Sequence, residues 1–384
     1  MKHSKTISAL AVLACMASTA GAQSSVTIYG DIDQYLNYMH SSSGAHVKAL
    51  EDGAYLRSRI GFRGIEDLGD GYSAKFQLEG GFSADNGTQA DAANNRFFDR
   101  QTWVGLASPN AGEIRFGRQN GPIQSHGAYI DYTARDLGSM INNFGVPSRY
   151  DNDISYLSPR WAGFAFEAHV ALPESPVGNH PLIYQAFVDY TWNNSHIGYM
   201  GLRARPPSNA AIDKDVVYDN PYIDFNYGKG NIYIAYVRSN NNTSSGTGAT
   251  LINNGGTLVS NVGGTSGGAG SYNPGTNPDL NNFYNIWQIS ADYQASAQFR
   301  IGALWGKIKD TSGRDRGASG GSFGGFYDLS KRTMFYGLID TLRNDTNGGW
   351  RPAGSAGLKT TFTAANDVNG RTINGIQLGI LHRF

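Results

Sequence analysis

Apolar and polar residues alternate with a period of two along most of this chain, from Val26 to its last residue. In the segment VTIYGDID, Val26, Ile28 and Ile32 share one face of an extended chain, while Asp31 and Asp33 share the other. Apolar residues spaced three and four apart, which are typical of an amphipathic helix, are rare. The pattern predicts an all-β fold of about sixteen half-buried strands.

The connections between these strands alternate in length. Short connections such as EDLGDGY, SPNAG and GKGN are followed by long ones near residues 40–53, 82–95, 119–149, 204–214, 239–281, 310–322 and 343–372. One edge of the sheet is therefore predicted to have tight turns and the other large loops. No break in the pattern marks a second domain, so residues 23–384 are predicted to form a single antiparallel domain.

The first 22 residues, MKHSKTISALAVLACMASTAGA, have a basic start, a short apolar stretch and small residues near their end. We predict a secretory signal peptide, residues 1–22, cut after Ala22. Lipoprotein processing at Cys15 is the alternative interpretation. With cleavage after Ala22 the mature chain has 384 − 22 = 362 residues and no cysteine. Disulfides and thiolate metal sites are then excluded.

Composition supports strands joined by glycine-rich turns. The chain has 50 glycines, 12% aromatic residues and only 16% charged residues. Without Lys2 and Lys5 of the signal peptide, 29 basic residues stand against 31 acidic ones, a formal charge of −2. This balance argues against a nucleic-acid partner and against a polybasic membrane tether.

One segment indicates which face of the sheet contacts water. The stretch YLRSRIGFRG, residues 55–64, alternates basic with apolar side chains, namely Arg57, Arg59 and Arg63 with Leu56, Ile60 and Phe62. A soluble sandwich or barrel would not require short turns at one edge and long loops at the other. In a transmembrane β-barrel the periplasmic turns are short, the extracellular loops are long, and polar side chains point into the lumen. The arginines are therefore expected to line a channel, and Leu56, Ile60 and Phe62 to face lipid or a neighbouring subunit.

Barrel closure is required on physical grounds, because backbone groups cannot remain unpaired in hydrocarbon. A barrel of about sixteen strands leaves a lumen wide enough for water. The last segment, NGIQLGILHRF, continues the alternation and ends on Phe384. An aromatic residue that ends such a strand resembles the signal read by the outer-membrane barrel assembly machinery, so Phe384 is a candidate assembly signal.

Several segments together resemble the general diffusion porins of Gram-negative bacteria, most closely those of beta-proteobacteria. They are SSVTIYGDID, SRIGFRGIEDLGDGYSAKFQLE, RQTWVGLASPNAGEIRFGRQ, RYDNDISYLSPRWAGF and GILHRF. The resemblance implies a homotrimer of sixteen-stranded barrels in the outer membrane, each with its third outer loop folded into the pore. It also implies contact with outer-membrane lipid and lipopolysaccharide, and passage of small hydrophilic solutes and ions.

The resemblance further implies a channel constriction in which basic residues of the barrel wall face acidic residues of that loop. By position, the basic residues are Arg59, Arg100 and Arg149, with Arg57 one pleat from Arg59 and with Arg118 and Arg135 adding positive charge. The constriction loop is expected at about residues 120–148, with Asp131 and Asp136 as its acidic residues. Opposed charges across a narrow wet passage orient polar solutes. The alternative for any single arginine is a salt bridge that only stiffens the wall.

The expected function is passive diffusion with a weak anion preference, which the aspartates could reverse. A substrate-specific channel and a β-barrel adhesin or receptor acting through its long loops are the alternatives. No enzyme is predicted, because the Gly-x-Ser-x-Gly matches at 264–268 and 317–321 lie in glycine- and serine-rich repeats without the strand and helix of a nucleophile elbow. The histidines lack metal-ligand spacing, and no metal or other cofactor is expected.

Overall fold

The computed structural model describes residues 25–90, 96–172, 182–204, 215–240, 283–357 and 360–384. The predicted signal peptide lies outside these residues, as does the Gly-x-Ser-x-Gly match at 264–268. The described chain contains three short helices, α1 (Pro122–Ser125), α2 (Met140–Phe144) and α3 (Ala365–Val368), and a 3₁₀ turn at Gly127–Tyr129. Among the residues described, no helix is long and apolar enough to cross a membrane.

Strands form the rest of the regular structure. In chain order they are β1 (Ser25–Ser41), β2 (His46–Asp52), β3 (Arg59–Gly69), β4 (Tyr72–Gly81), β5 (Gln101–Ser108), β6 (Gly112–Asn120), β7 (Arg149–Tyr150), β8 (Asp153–Leu157), β9 (Phe164–Ala171), β10 (Ile183–Trp192), β11 (Ser195–Ala204), β12 (Val216–Asn226), β13 (Asn231–Ser239), β14 (Tyr284–Gln294), β15 (Phe299–Asp310), β16 (Ala318–Asp328), β17 (Thr333–Asn344) and β18 (Thr372–Arg383).

These strands close into one antiparallel barrel. Strand β1 pairs with β18 on one side, with Asp31 opposite Arg383. On its other side, its first half pairs with β3 and its second half with β2. Strands β7 and β8 likewise both pair with β6. Each of these pairs is one interrupted barrel strand, so 18 − 2 = 16 strands surround the lumen. The predicted closed barrel of about sixteen strands is confirmed.

The two faces of the barrel have opposite polarity. In β5, Val104 and Leu106 are more than half exposed on the outside, whereas Gln101 and Trp103 face inward and are buried. In β10, the inward side chains of Gln185 and Asp189 are buried, while outward side chains are exposed. In water, the hydrophobic effect would favour the opposite arrangement, with apolar side chains inside the barrel and polar ones outside. An apolar exterior and a polar interior match a membrane-spanning barrel.

The first outer connection differs from the prediction. Residues 40–53 were expected to form a long loop, but β1 extends to Ser41 and β2 begins at His46. The turn between them is stabilised by the Ser41 amide, which donates to the Ala45 carbonyl over 2.9 Å. The alternating side chains of these residues continue the sheet, so the connection shrinks to residues 42–45.

The chain leaves the sheet a few residues later, between β2 and β3. Asp33 of β1 fixes this interruption, because its Oδ2 accepts the amides of Tyr55 and Leu56 at 2.8 and 2.7 Å. Leu56 packs against the buried cluster inside the barrel. The expectation that Leu56 faces lipid is therefore wrong, whereas Ile60 in β3 is 44% exposed on the outside.

The third loop, residues 121–148, enters the barrel interior. Its helix α2 is completely buried at Met140, Ile141 and Phe144. The eighth loop, residues 345–371, packs against it, with the Phe144 and Trp350 ring centroids 5.5 Å apart. The Asn142 side-chain amide also donates to the Ala353 carbonyl over 2.6 Å. The two loops together narrow the lumen.

Candidate functional site

Arg59 lies on the lumen side of β3, at the point where the strand resumes after the interruption. Its Nε is 3.2 Å from Asp31 Oδ2, because the register of β1 and β3 places these two residues opposite each other. One guanidinium nitrogen of Arg59 is also 4.0 Å from Glu79 Oε1. Arg59 therefore links carboxylates on β1 and β4, the two strands that flank β3.

Glu79, near the end of β4, is the central carboxylate of the site. It is 2% exposed, and its Oε1 lies 2.6 Å from Nε of Arg100. Its Oε2 accepts the Tyr29 hydroxyl over 2.9 Å. Glu79 was not among the predicted site residues, although alternation in YSAKFQLEG places it on the polar face with Lys75 and Gln77.

A second carboxylate, Asp151, holds the neighbouring basic residues. A guanidinium nitrogen of Arg118 lies 2.6 Å from Asp151 Oδ1, and one of Arg96 lies 2.5 Å from Oδ2. The Nε of Arg118 donates to the Asp99 carbonyl over 2.5 Å. Arg96 lies in the second loop and was not predicted, because loop residues have no strand alternation to indicate their direction.

Arg149 and Arg57 are the other two predicted basic residues of the barrel wall. Arg149 lies within electrostatic range of Arg57, Arg100 and Arg118. In the described part of the chain no carboxylate lies within 4.0 Å of Arg149, and its buried Nε has no hydrogen-bond acceptor. The side chains of Arg57 and Arg100 flank Gly81, where a Cβ would come within 3.1 and 3.3 Å of them.

The structure thus brings all five predicted arginines together, and we call them the arginine wall: Arg57, Arg59, Arg100, Arg118 and Arg149. Their exposure is unequal. Arg100 is only 3% exposed and Arg118 and Arg149 are 8% exposed, whereas Arg57 and Arg59 are half-buried. The wall is a packed cluster in which Arg57 and Arg59 have the most contact with the lumen.

The two predicted loop acids have different surroundings. Asp131 is 1% exposed, and its Oδ1 accepts the Thr133 amide, the Thr133 hydroxyl and the Arg135 amide at 2.9, 2.6 and 3.0 Å. Its Oδ2 accepts the side-chain amide of Gln288 in β14 over 2.7 Å. Both oxygens of Asp131 therefore fix the third loop to the barrel, in contrast to the expected position facing the basic residues.

Asp136 is closer to the expected arrangement. It interacts electrostatically with Arg135 of the same loop and with Arg59, and it accepts a hydrogen bond from Ser355 of the eighth loop. Burial raises the pKa of the Asp136 carboxyl well above its usual range, because the charged form is costly away from water. Of the two loop acids, Asp136 is the one near the arginine wall.

Side chains from several strands hold the third loop in place. His126 Nε2 lies 2.8 Å from Glu167 Oε1 in β9, and the His126 ring stacks on Phe187 of β10 with centroids 3.9 Å apart. The Tyr132 hydroxyl donates to Ser322 of β16 over 3.0 Å. With contacts on separated strands, the loop crosses the lumen as a fixed element.

Phe384 closes the seam of the barrel. Its amide and carbonyl form two hydrogen bonds with the backbone of Gly30, at 3.0 and 3.1 Å. The absence of a side chain at Gly30 leaves room for the Phe384 ring, since a Cβ there would lie 2.3 Å from it. The ring itself is 42% exposed.

The described residues contain no group of three or more His, Cys, Asp or Glu side chains arranged to hold a metal ion. In the remaining Gly-x-Ser-x-Gly match, Ser319 lies within strand β16, opposite Lys307 and Arg343. A serine within a regular strand lacks the sharp turn that exposes a nucleophile.

The family model and the relatives that match this chain agree on one protein family. A family model described as Gram-negative porin matches residues 9–347. The chain is 37% identical over 180 residues to an outer membrane porin protein of Bordetella pertussis, over 42% of this chain and 46% of that protein. It is 28% identical over 397 residues to outer membrane porin protein 32 of Delftia acidovorans, over 99% of each. The chain thus spans about half the length of the Bordetella protein and nearly all of the Delftia protein.

Solved structures with the same fold are more distant in sequence. The anion-selective porin from Comamonas acidovorans superposes with a TM-score of 0.69 at 21% identity, over 94% of this chain and 100% of that chain. OmpT, an outer membrane protein of Vibrio cholerae in its trimer form, gives a TM-score of 0.62 at 14% identity, over 94% and 99%. These likenesses show the fold alone.

Proposed function

The chain belongs to the family of Gram-negative porins and is an integral β-barrel of the outer membrane, and we propose that it is a water-filled channel for passive diffusion of small hydrophilic solutes and ions. The polar interior of the sixteen-stranded barrel supports this function. Sixteen strands enclose more space than their own side chains fill. The third and eighth loops narrow that space and set the size of solute that passes.

The constriction lies between the arginine wall and the third loop, at about residues 120–148. Charges that face a narrow wet passage act on a passing solute more strongly than in bulk water, because the low-dielectric wall concentrates their field. On the wall, Arg57 and Arg59 act most directly, since they have the greatest exposure to the lumen. On the loop, Asp136 is the acidic residue nearest the wall, and burial favours its neutral form, while Asp131 holds the loop to β14.

The channel prefers anions weakly. The observation that carries this proposal is Arg149, a guanidinium with no carboxylate within 4.0 Å in the described chain, on which three arginines and one carboxylate, Glu79, act electrostatically. Glu79 and Asp151 offset part of the charge of the wall, through their contacts with Arg100 and Arg118. The excess positive charge favours anions over cations. The similar fold of a porin named anion-selective supports the same direction.

The protein assembles as a homotrimer whose apolar barrel exteriors meet lipid and one another. The trimer form of a structural neighbour supports this assembly. The barrel assembly machinery recognises the last strand through Phe384, and outer-membrane lipid and lipopolysaccharide surround the trimer. The segment 1–22 is the signal peptide that directs export.

Recording of the purified protein in a planar bilayer tests the channel and its preference together. In a salt gradient the wild type is expected to conduct in groups of three steps and to give a reversal potential on the anion side. The Arg149→Gln variant is expected to lower the anion-to-cation permeability ratio about two- to threefold, because one unit charge about 7 Å away in water contributes about 0.6 kcal/mol.

The matched control is Arg203→Gln, which removes the same charge from an arginine that is 45% exposed and paired with Asp219. It is expected to leave the reversal potential unchanged. An equal shift in both variants would contradict the role of the arginine wall. Stable insertion without conductance would contradict the channel itself and would favour the adhesin or receptor alternative.

A further inference from the structure

The exterior of strands β13 to β17 is apolar along most of its length and basic at one end. In the middle of these strands the outward side chains are apolar and about half exposed, namely Ile234, Ile289, Trp305, Phe323 and Ile339. Four exposed cations follow at the end from which the long loops leave: Arg238, Lys307, Lys309 and Arg343. In an outer-membrane barrel the long loops are extracellular, so these cations lie at the outer leaflet of the membrane.

Strand register places two of these cations in one row across the sheet. Lys307 of β15 lies opposite Ser319 of β16, and Ser319 lies opposite Arg343 of β17. All three side chains point outward, because the residues that alternate with them are buried inside the barrel. The spacing of neighbouring strands puts the Cα atoms of the two cations about 10 Å apart, with a hydroxyl group between them.

A second row lies two residues closer to the loops. Arg238 of β13 lies opposite Asn285 of β14, and Asn285 lies opposite Lys309 of β15. The Arg238 guanidinium lies over the ring of Phe283, 3.8 Å from its centroid. One of its nitrogens is 4.0 Å from Asp219 of β12, so part of its charge is offset. This row repeats the first, with a polar side chain between two cations.

The charge of the other three cations is not offset at contact distance. In the part of the chain that the structure describes, no carboxylate lies within 4.0 Å of Lys307, Lys309 or Arg343. Asp345 of the eighth loop interacts electrostatically with Lys307 and Arg343 from a greater distance. Three exposed cations therefore outweigh the one carboxylate that acts on them.

Two further acids near this end are bonded within the loops. Asp310 lies on the opposite face of β15 from Lys309, and its carboxylate accepts the amides of Ser312 and Arg316 at 2.8 and 3.2 Å. Asp315 accepts the Thr346 amide over 3.0 Å. Their carboxylates are held by loop turns, so the outer face of the sheet remains positive.

Two tryptophans mark the level at which the exterior changes from apolar to basic. Trp287 of β14 lies opposite Lys307, and Trp305 precedes Lys307 by two residues on the same face of β15. Their side chains are 56% and 55% exposed. Tryptophan is enriched at membrane–water interfaces, and an exterior Lys or Arg is costly in mid-bilayer but not at the interface. The four cations, which we call the outer cation patch, therefore lie at the level of the lipid headgroups.

We propose that the outer cation patch binds the phosphate groups of a phosphorylated glycolipid of the outer leaflet, with the acyl chains of that lipid on the adjacent apolar surface. The inference rests on the proposed contact with lipopolysaccharide and assigns that contact to one surface of the barrel. Lys and Arg bind phosphate through charge-assisted hydrogen bonds. Two rows of cations suit the two phosphates of a lipid A headgroup, whereas a zwitterionic phospholipid brings a positive amine with its single phosphate.

Binding of purified lipid A to the full-length mature protein in detergent, measured by native mass spectrometry, tests the patch. The wild type is expected to bind lipid A with two phosphates more tightly than lipid A with one phosphate and the same acyl chains. Lys307→Gln and Arg343→Gln are each expected to raise the dissociation constant about fivefold, the effect of one basic residue on binding to an anionic lipid. Added salt is expected to weaken binding, because it screens exposed charges.

Lys48→Gln is the matched control. Lys48 is an exposed exterior lysine of β2 whose neighbours across the sheet are Tyr38 and Ile376. Its loss is expected to leave the affinity for lipid A unchanged. Equal weakening in Lys48→Gln, or unchanged affinity in both patch variants, would overturn the proposal. Equally tight binding of phosphatidylethanolamine would also overturn it, because the surface would then contact lipid without recognising phosphate.

Inorganic phosphate distinguishes the lipid from a free ion. It is expected to compete only at concentrations far above that of lipid A, because it has no acyl chains. Competition at equal concentration would assign the patch to free phosphate and refute the lipid site. If a variant does not fold, the salt dependence of the wild type decides, since binding that is insensitive to salt contradicts a charged site. The conductance of Lys307→Gln in a planar bilayer is expected to match the wild type, so this inference and the channel proposal fail separately.

Discussion

Among single residues, the arginine wall depends on a few buried carboxylates whose positions are fixed largely by strand register. Glu79 is held between Arg59 and Arg100, while Asp151 is held between Arg96 and Arg118. A charge taken out of water is stabilised by a close and well-oriented partner of opposite charge. The carboxylates therefore determine where the arginines can lie.

Glu79→Gln removes the negative charge next to Arg59 and Arg100 and keeps the size of the side chain. The reversal potential in a salt gradient is expected to move further toward anions. The free energy of unfolding is expected to fall by roughly 3–5 kcal/mol, because buried arginine charge is left unpaired. Urea unfolding and bilayer recording measure the two effects. Glu66→Gln, at an exposed position of β3, is the control and is expected to change neither.

Asp136 gives the fold a pH dependence. Because burial raises the pKa of its carboxyl in the folded protein, the folded state holds this proton more tightly than the unfolded state. The contribution of Asp136 to stability is therefore greatest at acidic pH. This contribution decreases as pH rises from about 3.9, the pKa of the carboxyl in the unfolded chain, through its raised pKa in the folded protein.

Asp136→Asn is expected to abolish this decrease, since an amide does not titrate. The measurement is the urea midpoint as a function of pH in both proteins. Asp70→Asn, in an exposed turn, is the control and should retain the wild-type profile. Parallel profiles for wild type and Asp136→Asn would show that Asp136 does not have this role.

At the element scale, the third loop is held by another loop as well as by the wall. Trp350 of the eighth loop is fully buried and packs against Phe144 and Tyr284, with centroids 5.5 Å away in both cases. The side-chain amides of Asn142 and Asn143 bond to the backbone of Ala353. The position of the third loop therefore depends on the eighth loop.

Trp350→Ala is expected to destabilise the barrel by about 3–5 kcal/mol, through the cavity left at a buried aromatic site. It is also expected to increase the noise of the open-channel current, because the third loop loses its packing partner. Single-channel recording and urea unfolding measure these changes. The control is Trp305→Ala, at a side chain 55% exposed on the barrel exterior. Equal current noise in the two variants would contradict the dependence on the eighth loop.

At the scale of the whole molecule, the two chain ends close the barrel. Strands β1 and β18 pair from Asp31 to Ser41, and the backbone bonds of Phe384 with Gly30 extend this seam. The backbone bonds do not depend on the identity of the last side chain. The ring of Phe384, which is 42% exposed, is available for recognition during assembly.

Phe384→Ala separates assembly from stability. The variant refolded in detergent is expected to unfold within about 1 kcal/mol of the wild type, since a half-exposed side chain is lost and the backbone bonds remain. The amount inserted into the outer membrane of cells is expected to fall severalfold. Quantification of the heat-resistant trimer in membranes measures insertion. Normal insertion of Phe384→Ala would contradict the assembly-signal proposal.

The alternation of polar and apolar residues was sufficient to predict the all-β barrel, the approximate number of its strands and the polarity of its two faces. Each follows from a local rule: a period of two assigns a side chain to one face of a strand, and the alternation of turn lengths assigns connections to one end. The same rules placed Arg59 on the wet face, whereas Arg100 was assigned to the wall by the resemblance to porins. They do not act on loops, so Arg96 was missed and Asp131 was assigned to the wrong surroundings.

The way in which loops fill the lumen depends on contacts between distant segments and could not be predicted from local patterns. The interruption after β2 depends on Asp33 of another strand, and the third loop depends on Gln288 and Trp350, which are far away in sequence. Contacts of this kind arise from closure of the barrel, because closure brings distant segments into one small volume. Their energies depend on distance and desolvation rather than on spacing along the chain.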